Sequence, residues 1–235
     1  MNKFIKYLFK ARGYEVRRLP RATSQKGIEW LSLQNFNIKT VLDVGASNGC
    51  WSKECMDFFP EADYVLFEPQ PVHGEALDSF NSQYKNTTIV KKAVGPSEGI
   101  TFFHAADPFG GALSAKKTDV TIEVDMTSID SSVSKLQCEE PFLLKLDTHG
   151  YEKSILEGAS KTLERTTALI IEAYNYKFTD EALLFWELCA FLADKGFRVI
   201  DLVDICHRKY DNSLWQMDLF FIRDSWEGFN YVSFD

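Results

Sequence analysis

A glycine-rich turn after an apolar run is the part of the sequence best suited to hold a ligand. In 41-VLDVGASNGCW-51 the acid Asp43 lies near the end of the apolar run, and the turn contains Gly45, Ala46, Ser47 and Gly49. A dinucleotide-binding turn requires GxGxxG, and a phosphate-binding loop requires GxxxxGK[ST]. Because the glycines here are spaced GxxxG and no lysine follows Gly49, the turn is not built for a polyphosphate.

Two acids at the ends of predicted strands indicate what the turn holds instead. Glu68 ends the second predicted strand, 23 residues after Gly45. A carboxylate there can accept two hydrogen bonds from the hydroxyls of a ribose. Asp43 would favour a positively charged group, such as the ammonium of S-adenosylmethionine, whose carboxylate could meet amides at the next helix start. The alternative is a tight strand-to-helix turn with a helix-capping acid.

Apolar runs that alternate with helical patterns indicate the fold class. The predicted strands are 39–44, 64–67, 88–94, 142–147 and 168–172, and the predicted helices are 50–59, 72–84 and 152–163. Strands alternating with helices predict parallel pairing in an α/β fold. A further helix is predicted with Thr179 as its N-cap and a stop at Gly196.

Two regions do not show this alternation of strands and helices. Residues 100–104 and 120–128 alternate between apolar and polar side chains, which predicts a small inserted antiparallel β element. Strands 197–203 and 216–223 are joined by a loop with no helical pattern, which predicts a terminal antiparallel hairpin. The predicted fold is Rossmann-like α/β: a seven-stranded, mostly parallel sheet with helices on both faces, as in class I methyltransferases that use S-adenosylmethionine.

Charge divides the 235-residue chain into two regions. Its net charge is −8, but residues 1–26 hold eight Lys or Arg and one acid, a net +7 that leaves −15 for the remainder. The acidic body argues against nucleic-acid binding. The basic arm suits an anionic membrane surface or an acidic partner, and a solvated terminal helix is the alternative. We predict a basic helical extension over residues 1–38 and a methyltransferase domain over 39–235, with no signal for oligomeric state.

Cysteine usage and hydropathy predict the compartment. The five cysteines form no CxxC pair, and no apolar run reaches the roughly 18 residues of a membrane span. Free thiols fit a reducing environment. We therefore predict a cytoplasmic protein, with peripheral contact at the inner membrane surface if the basic arm binds lipid.

Four segments resemble the FkbM-type methyltransferases. They are 41-VLDVGASNG-49, 67-FEP-69, 93-AVG-95 and 143-LLKLDTHGYEKSILEGA-159. The resemblance as a whole covers about residues 40–223. The resemblance implies S-adenosylmethionine-dependent O-methylation of a sugar, glycolipid or polyketide hydroxyl, and it adds Pro69, Ala93 and Val94 to the predicted cofactor site. Ser47 stands where the family usually has Asn, and His149 stands where it usually has an acid.

The turn after the fourth strand of the α/β core is where we expect the methyl acceptor. His149 is the strongest candidate for a general base, because an imidazole ordinarily has a pKa of about 6.5 and can accept a proton near neutral pH. A structural role in closing the turn before Gly150 is the alternative. Asp147 is predicted to face the cofactor or orient a partner. Lys145 is predicted to pair with an acid of a neighbouring strand, because a buried lysine must pair or lose its proton.

Two further acids, Glu172 and Asp218, are candidates for the acceptor pocket. No spacing of His, Asp and Glu is typical of a metal site, so we predict no metal, with a divalent ion at Asp147 and Glu172 as the alternative. The predicted partner is a hydroxyl-bearing small molecule or glycan.

Two other functions compete with methyl transfer. One is an NAD-type oxidoreductase, which the missing middle glycine disfavours. The other is a non-catalytic S-adenosylmethionine-binding module, which stays an alternative because the 147-DTHGYE-152 segment is altered.

Overall fold

A computed structural model describes residues 7, 10–13, 23–108, 110–114, 117–177 and 179–234. Most of the basic arm therefore lies outside the described residues, and its contact with a membrane stays a prediction. No helix within the described ranges has both the length and the apolar character that crossing a bilayer requires. All five cysteines are free thiols.

Strands and helices alternate along most of the chain. The strands are β1 (Thr40–Val44), β2 (Asp63–Phe67), β3 (Thr87–Val90), β4 (Ala93–Val94), β5 (Gly99–His104), β6 (Ala112–Ser114), β7 (Thr121–Thr127), β8 (Phe142–Leu146), β9 (Thr166–Tyr174), β10 (Phe197–His207) and β11 (Leu214–Arg223). The α-helices are α1 (Ser24–Leu33), α2 (Cys50–Met56), α3 (Gly74–Gln83), α4 (Ile129–Leu136), α5 (Glu152–Glu157), α6 (Ser160–Glu164) and α7 (Phe185–Ala193). Short 3-10 turns span Pro71–His73 and Glu227–Asn230.

Seven strands form the main sheet in the order β10-β11-β9-β8-β1-β2-β3. The five strands from β9 to β3 pair in parallel, whereas β11 is antiparallel to both of its neighbours. The sheet is therefore mixed, and the predicted terminal hairpin is present. The chain leaves β1 towards β2 and later returns to β8 on the other side of β1. Ligands of open α/β sheets bind at such a switch point, outside the carboxyl ends of the strands.

A second sheet contains the predicted inserted element. Its order is β4-β7-β5-β6, with β5 antiparallel to β6 and β7, and with β4 parallel to β7. The prediction of one strand over 88–94 is wrong, because β3 and β4 belong to different sheets. Lys91 and Lys92 lie between them and form ion pairs in different directions, with Asp78 of α3 and Asp125 of β7.

Two predicted helices differ in the structure. The helix predicted from Thr179 begins at Phe185, because the Glu187 carboxylate accepts the Leu184 amide at 2.9 Å and caps it there. The Thr179 hydroxyl instead donates to the Gly150 carbonyl at 3.1 Å. The helix predicted over 152–163 is interrupted at Gly158, where an added Cβ would lie 2.4 Å from the Gly95 carbonyl oxygen.

Apolar side chains pack on both faces of the main sheet. One cluster includes Leu144, Ile171 and Phe221, and the other includes Tyr64, Ile170 and Phe220. Helix α1 packs within the second cluster through Ile28 and Leu31. Its Ser24 amide also donates to Asp204 of β10 at 2.7 Å. This part of the predicted extension is therefore packed against the sheet.

Candidate active site

A cavity of about 580 Å³ lies at the carboxyl ends of β1, β2, β8 and β9. Eight of the predicted site residues line it: Gly45, Ser47, Glu68, Pro69, Ala93, Val94, Asp147 and His149. Asp43, Ala46 and Gly49 were also predicted as ligand contacts but are not in its wall. We call the part around Gly45, Ser47 and Glu68 the glycine-turn end, and the part around Asp147, His149 and Glu172 the histidine end.

Glu68 is fixed by the backbone on both of its oxygens. Its Oε2 accepts the Ser47 amide and its Oε1 accepts the Gln70 amide, each at 2.8 Å. Burial raises the pKa of Glu68, and the two amides only partly offset that effect. Each carboxylate oxygen has a second lone pair, so the group can still accept hydrogen bonds from a ligand.

Gly45 allows the two ends of the cavity to meet. Its φ is +79°, and an added Cβ would lie 2.0 Å from the Asp147 carbonyl oxygen. Only glycine tolerates both this backbone conformation and this approach. Ser47 also has a positive φ, +49°, a conformation in which Asn is more common than Ser.

A buried ion-pair cluster supports the cavity from beneath. Lys145 Nζ lies 3.2 Å from Asp43 Oδ1 and 3.3 Å from Asp147 Oδ2, and it donates to the Gly45 carbonyl at 3.3 Å. Burial lowers the pKa of Lys145, but the two carboxylates outweigh it and the net pKa is raised. The predicted pairing of Lys145 with an acid of a neighbouring strand is confirmed. Asp43, fully buried, also accepts the Ser52 hydroxyl at 2.7 Å.

His149 faces Glu172 and Tyr174 across the histidine end. Its Nδ1 lies 3.2 Å from Glu172 Oε2 and 2.7 Å from the Tyr174 hydroxyl. The Tyr174 hydroxyl donates to Glu172 Oε2, and Gln216 Nε2 donates to Glu172 Oε1. Burial and the adjacent carboxylate raise the pKa of Tyr174, so the phenol is a neutral donor.

The turn that carries His149 is held by a buried acid. Glu152 Oε1 accepts the Gly150 amide at 2.9 Å and the Thr148 hydroxyl at 3.2 Å. Burial raises the pKa of Glu152, with partial compensation from these donors. His149 has φ +50° and Gly150 has φ +95°, so the turn holds two successive left-handed residues.

A loop of the second sheet covers the glycine-turn end. The Pro108 carbonyl accepts Gln70 Nε2 at 3.1 Å, and His73 Nε2 lies 2.8 Å from the same oxygen. Gln70 Oε1 is buried and has no hydrogen-bond partner among the described residues. This loop thus closes over the side chains that follow β2.

Aromatic side chains form the wall beyond His149. Trp215 and Tyr174 both line the cavity, with ring centroids 6.0 Å apart at an interplanar angle of 83°. His149 and Tyr174 are also arranged edge to face, with centroids 6.1 Å apart. Flat apolar rings beside hydrogen-bonding groups suit a ligand that has an apolar face and polar edges.

Asp147, His149 and Glu172 each offer one ligand atom within 4.8 Å of the others. That spacing would admit a divalent cation, the alternative left open by the sequence. The Lys145 ammonium already supplies a positive charge to this group, 3.3 Å from Asp147 Oδ2. Burial alone would raise the pKa of Asp147. The charge interactions with Lys145 and, to a smaller extent, with His149 outweigh burial and hold this pKa below its ordinary value.

Four residues of the cavity wall were not predicted from the sequence: Gln70, Tyr174, Trp215 and Gln216. Gln70 lies two positions after Glu68, and its place just beyond the carboxyl end of β2 was the signal that could have found it. The other three come together only through antiparallel pairing of β11 with β9, where Gln216 lies opposite Tyr174. Glu172, predicted for the acceptor pocket, lines the cavity, whereas Asp218 does not.

Comparisons with known proteins indicate similarity to methyltransferases. A family model described as the methyltransferase FkbM domain matches residues 43–199. The hexuronic acid methyltransferase AglP of Haloferax volcanii is 22% identical over 192 residues, covering 78% of this chain and 79% of its own length. The crystal structure of a methyltransferase FkbM from Methylobacillus flagellatus superposes with a TM-score of 0.53 at 17% identity, over 78% of this chain. This chain spans 44% of that protein's length, and the likeness supports a methyltransferase-like α/β fold.

Proposed function

This chain belongs to the FkbM methyltransferase family, and we propose that it is an S-adenosylmethionine-dependent O-methyltransferase acting on a saccharide hydroxyl. The observation that carries the proposal is one cavity with two chemically different ends. Glu68, fixed by two amides, faces it from one side, and His149, backed by Glu172, faces it from the other. Its volume of about 580 Å³ lies within the range of small-molecule sites, about 300–1,000 Å³.

The glycine-turn end fits an adenosine-containing cofactor. Glu68 has lone pairs for two ribose hydroxyls, and Gln70 Oε1 is a buried acceptor that lacks a partner among the described residues. Ala93 and Val94 supply apolar wall for a base. Asp43 was predicted from the sequence to favour the ammonium of the cofactor, but it is fully buried and contacts Lys145, so in this proposal it acts through that lysine. When bound, S-adenosylmethionine would supply a methyl group on a sulfonium and leave as the thioether.

The histidine end fits the acceptor. The acceptor hydroxyl oxygen forms the new bond to carbon with one of its lone pairs, and its proton must go to a base. His149 accepts that proton in this proposal, which is worth about 10²–10⁴-fold in rate. Trp215 and Tyr174 offer ring surfaces on which the apolar face of a sugar can pack. The similarity to a hexuronic acid methyltransferase supports a uronic acid unit as the first acceptor to test.

Three experiments test the proposal. Calorimetric titration should show binding of S-adenosylmethionine and none of NAD, and the reverse result would favour the oxidoreductase alternative. Labelled methyl from S-adenosylmethionine should then be transferred to hexuronic acid glycosides or to a saccharide isolated from fractionated cell extract. Binding without transfer would favour a non-catalytic module. Activity should persist in a chelator; loss that Mg²⁺ restores would favour a cation at Asp147 and Glu172.

The basic arm is proposed to bring the enzyme to an anionic surface carrying its acceptor. Support comes from the +7 charge of residues 1–26 on an otherwise acidic chain. Deleting residues 1–20, which ends before α1, should leave thermal stability nearly unchanged and weaken binding to phosphatidylserine vesicles. A full-length protein that ignores such vesicles at low salt would contradict it.

A further inference from the structure

Glu172 lies at the centre of a hydrogen-bond network that includes the proposed base. Its Oε1 accepts from Gln216 Nε2, and its Oε2 accepts from the Tyr174 hydroxyl. His149 Nδ1 lies 3.2 Å from the same Oε2. The Glu172 side chain is 13% exposed and that of His149 is 23% exposed, so water screens these contacts weakly.

The contacts of His149 indicate which of its two nitrogens carries the proton. A carboxylate only accepts hydrogen bonds, so an unprotonated Nδ1 would present a lone pair to a lone pair of Glu172. The Tyr174 hydroxyl has one proton, which it donates to Glu172. A proton on His149 Nδ1 is the arrangement that satisfies both Glu172 and Tyr174 as acceptors. In the neutral ring, the proton-accepting lone pair is then on Nε2.

The partners of His149 sit on rigid elements, whereas His149 sits on a turn. Glu172 and Tyr174 are two residues apart in β9, so they share one face of the sheet. Gln216 of β11 lies directly opposite Tyr174. Side chains on paired strands hold a fixed geometry that a turn residue with φ +50° does not provide by itself.

We propose that Glu172, Tyr174 and Gln216 are positioning residues that hold His149 with Nδ1 as donor, so that Nε2 takes the proton from the acceptor hydroxyl. The proposal rests on the proposed methyltransferase function and extends it to these residues. Glu172 orients the ring and stabilises the imidazolium that forms, while Tyr174 and Gln216 hold the Glu172 carboxylate.

Several charged groups lie in and beside the turn that carries His149. Asp147 is on the same turn, Glu152 is on α5, Glu172 is on β9, and Lys145 is on β8. Three of these four groups are acids, and Glu172 is the one that contacts the imidazole directly. Replacing Glu172 with Gln removes the nearest negative charge while keeping the side-chain shape. The imidazolium is then less stabilised, and His149 should lose its proton at a lower pH.

Nitrogen NMR of the histidine side chains tests the tautomer without requiring activity. The chain has four histidines, so the His149 signal can be assigned by its loss in His149→Gln. We expect neutral His149 to carry its proton on Nδ1 in the wild-type protein. We expect the Nε2–H form to become populated in Glu172→Gln, because the amide can donate to Nδ1. A wild-type His149 with its proton on Nε2 would overturn the proposal, whatever the enzyme does.

Kinetics with a hexuronic acid glycoside test the consequence for turnover. We expect Glu172→Gln to lower kcat by about 10²-fold, with the rise of rate with pH displaced to lower pH. Tyr174→Phe keeps the ring against Trp215 and should lower kcat about 10-fold. Tyr176→Phe is the matched control, because its hydroxyl bonds Ser213 and it does not line the cavity. S-adenosylmethionine affinity should stay within about twofold in all three.

The outcomes separate this inference from the proposed function. If no methyl transfer to any saccharide is found but the wild-type ring has the Nδ1–H tautomer, the positioning network stands and the proposed activity fails. If transfer occurs and Glu172→Gln lowers kcat without moving the pH profile, Glu172 has only a structural role and the inference fails. A folded Glu172→Gln enzyme with wild-type kcat would also overturn it.

Discussion

The glycine-turn end and the histidine end of the cavity are built in different ways. At the glycine-turn end, backbone amides from neighbouring turns hold one carboxylate, as when Ser47 and Gln70 donate to Glu68. At the histidine end, side chains hold one another across separate strands, as when Gln216 donates to Glu172 over 44 residues of sequence. Backbone contacts tolerate side-chain change, whereas side-chain networks depend on every member.

This difference explains what the sequence could predict. The turn over 45–49 and Glu68 were predicted because strand-end acids and glycine spacing are local patterns. Tyr174, Trp215 and Gln216 were not, because their proximity depends on β11 entering the sheet antiparallel to β9. Long-range register of this kind leaves no pattern in the local sequence. The role of His149 as a base stays a prediction, although its turn was located correctly.

The split of 88–94 between two sheets has the same origin. The apolar pattern of that segment favours a continuous strand, and the local sequence contains no proline or glycine to end it. The division follows from strand pairing, because β3 pairs with β2 in the main sheet whereas β4 pairs with β7 in the second sheet. Strand existence could therefore be predicted there, but sheet membership could not.

The largest effect is expected at the histidine end. His149→Ala should lower kcat by about 10²–10⁴-fold, because the acceptor hydroxyl loses its base. His149→Gln should not restore activity, since an amide can orient a hydroxyl but cannot take its proton. Steady-state kinetics with a saccharide acceptor would measure this, with circular dichroism to confirm folding. Near wild-type kcat in a folded variant would leave His149 a turn-closing role only.

Lys145 joins the two ends, so its removal should affect both. Lys145→Met leaves Asp43 and Asp147 without the ammonium that pairs them, and we expect a loss of about 3–5 kcal/mol in unfolding free energy. Chemical denaturation would measure it. Lys153→Met is the control, because that lysine is exposed and should change stability by less than about 0.5 kcal/mol. Equal stability of the two variants would show that the buried cluster does not support the site.

The effect at the glycine-turn end should fall on binding alone. Glu68→Ala removes the acceptor predicted for the ribose hydroxyls and should weaken S-adenosylmethionine binding by about 1.5–3 kcal/mol. Calorimetry would measure it, with the exposed Glu164→Ala as control. Unchanged affinity in Glu68→Ala would remove Glu68 from the cofactor site.

A pH-dependent effect on stability is expected at an acid beside the histidine end. Burial, followed by the charges of Glu172 and Asp147, raises the pKa of Asp218 to about 7. An acid whose folded pKa is raised stabilises the fold while it is protonated, and that stability is lost as pH rises from about 4 to about 7. Asp218→Asn cannot ionise, so it should be more stable than wild type at pH 8 and gain little at pH 4. Thermal unfolding at the two pH values checks this, and a larger gain at pH 4 would contradict it.

The most direct test of a cavity with a cofactor end and an acceptor end is single-turnover transfer of labelled methyl in Glu68→Ala and His149→Ala. Each variant is measured at increasing S-adenosylmethionine with the acceptor saturating. We predict that high S-adenosylmethionine restores the wild-type rate in Glu68→Ala and leaves His149→Ala slow at every concentration. Restoration of both variants, or of neither, would contradict the assignment of binding to one end and proton transfer to the other.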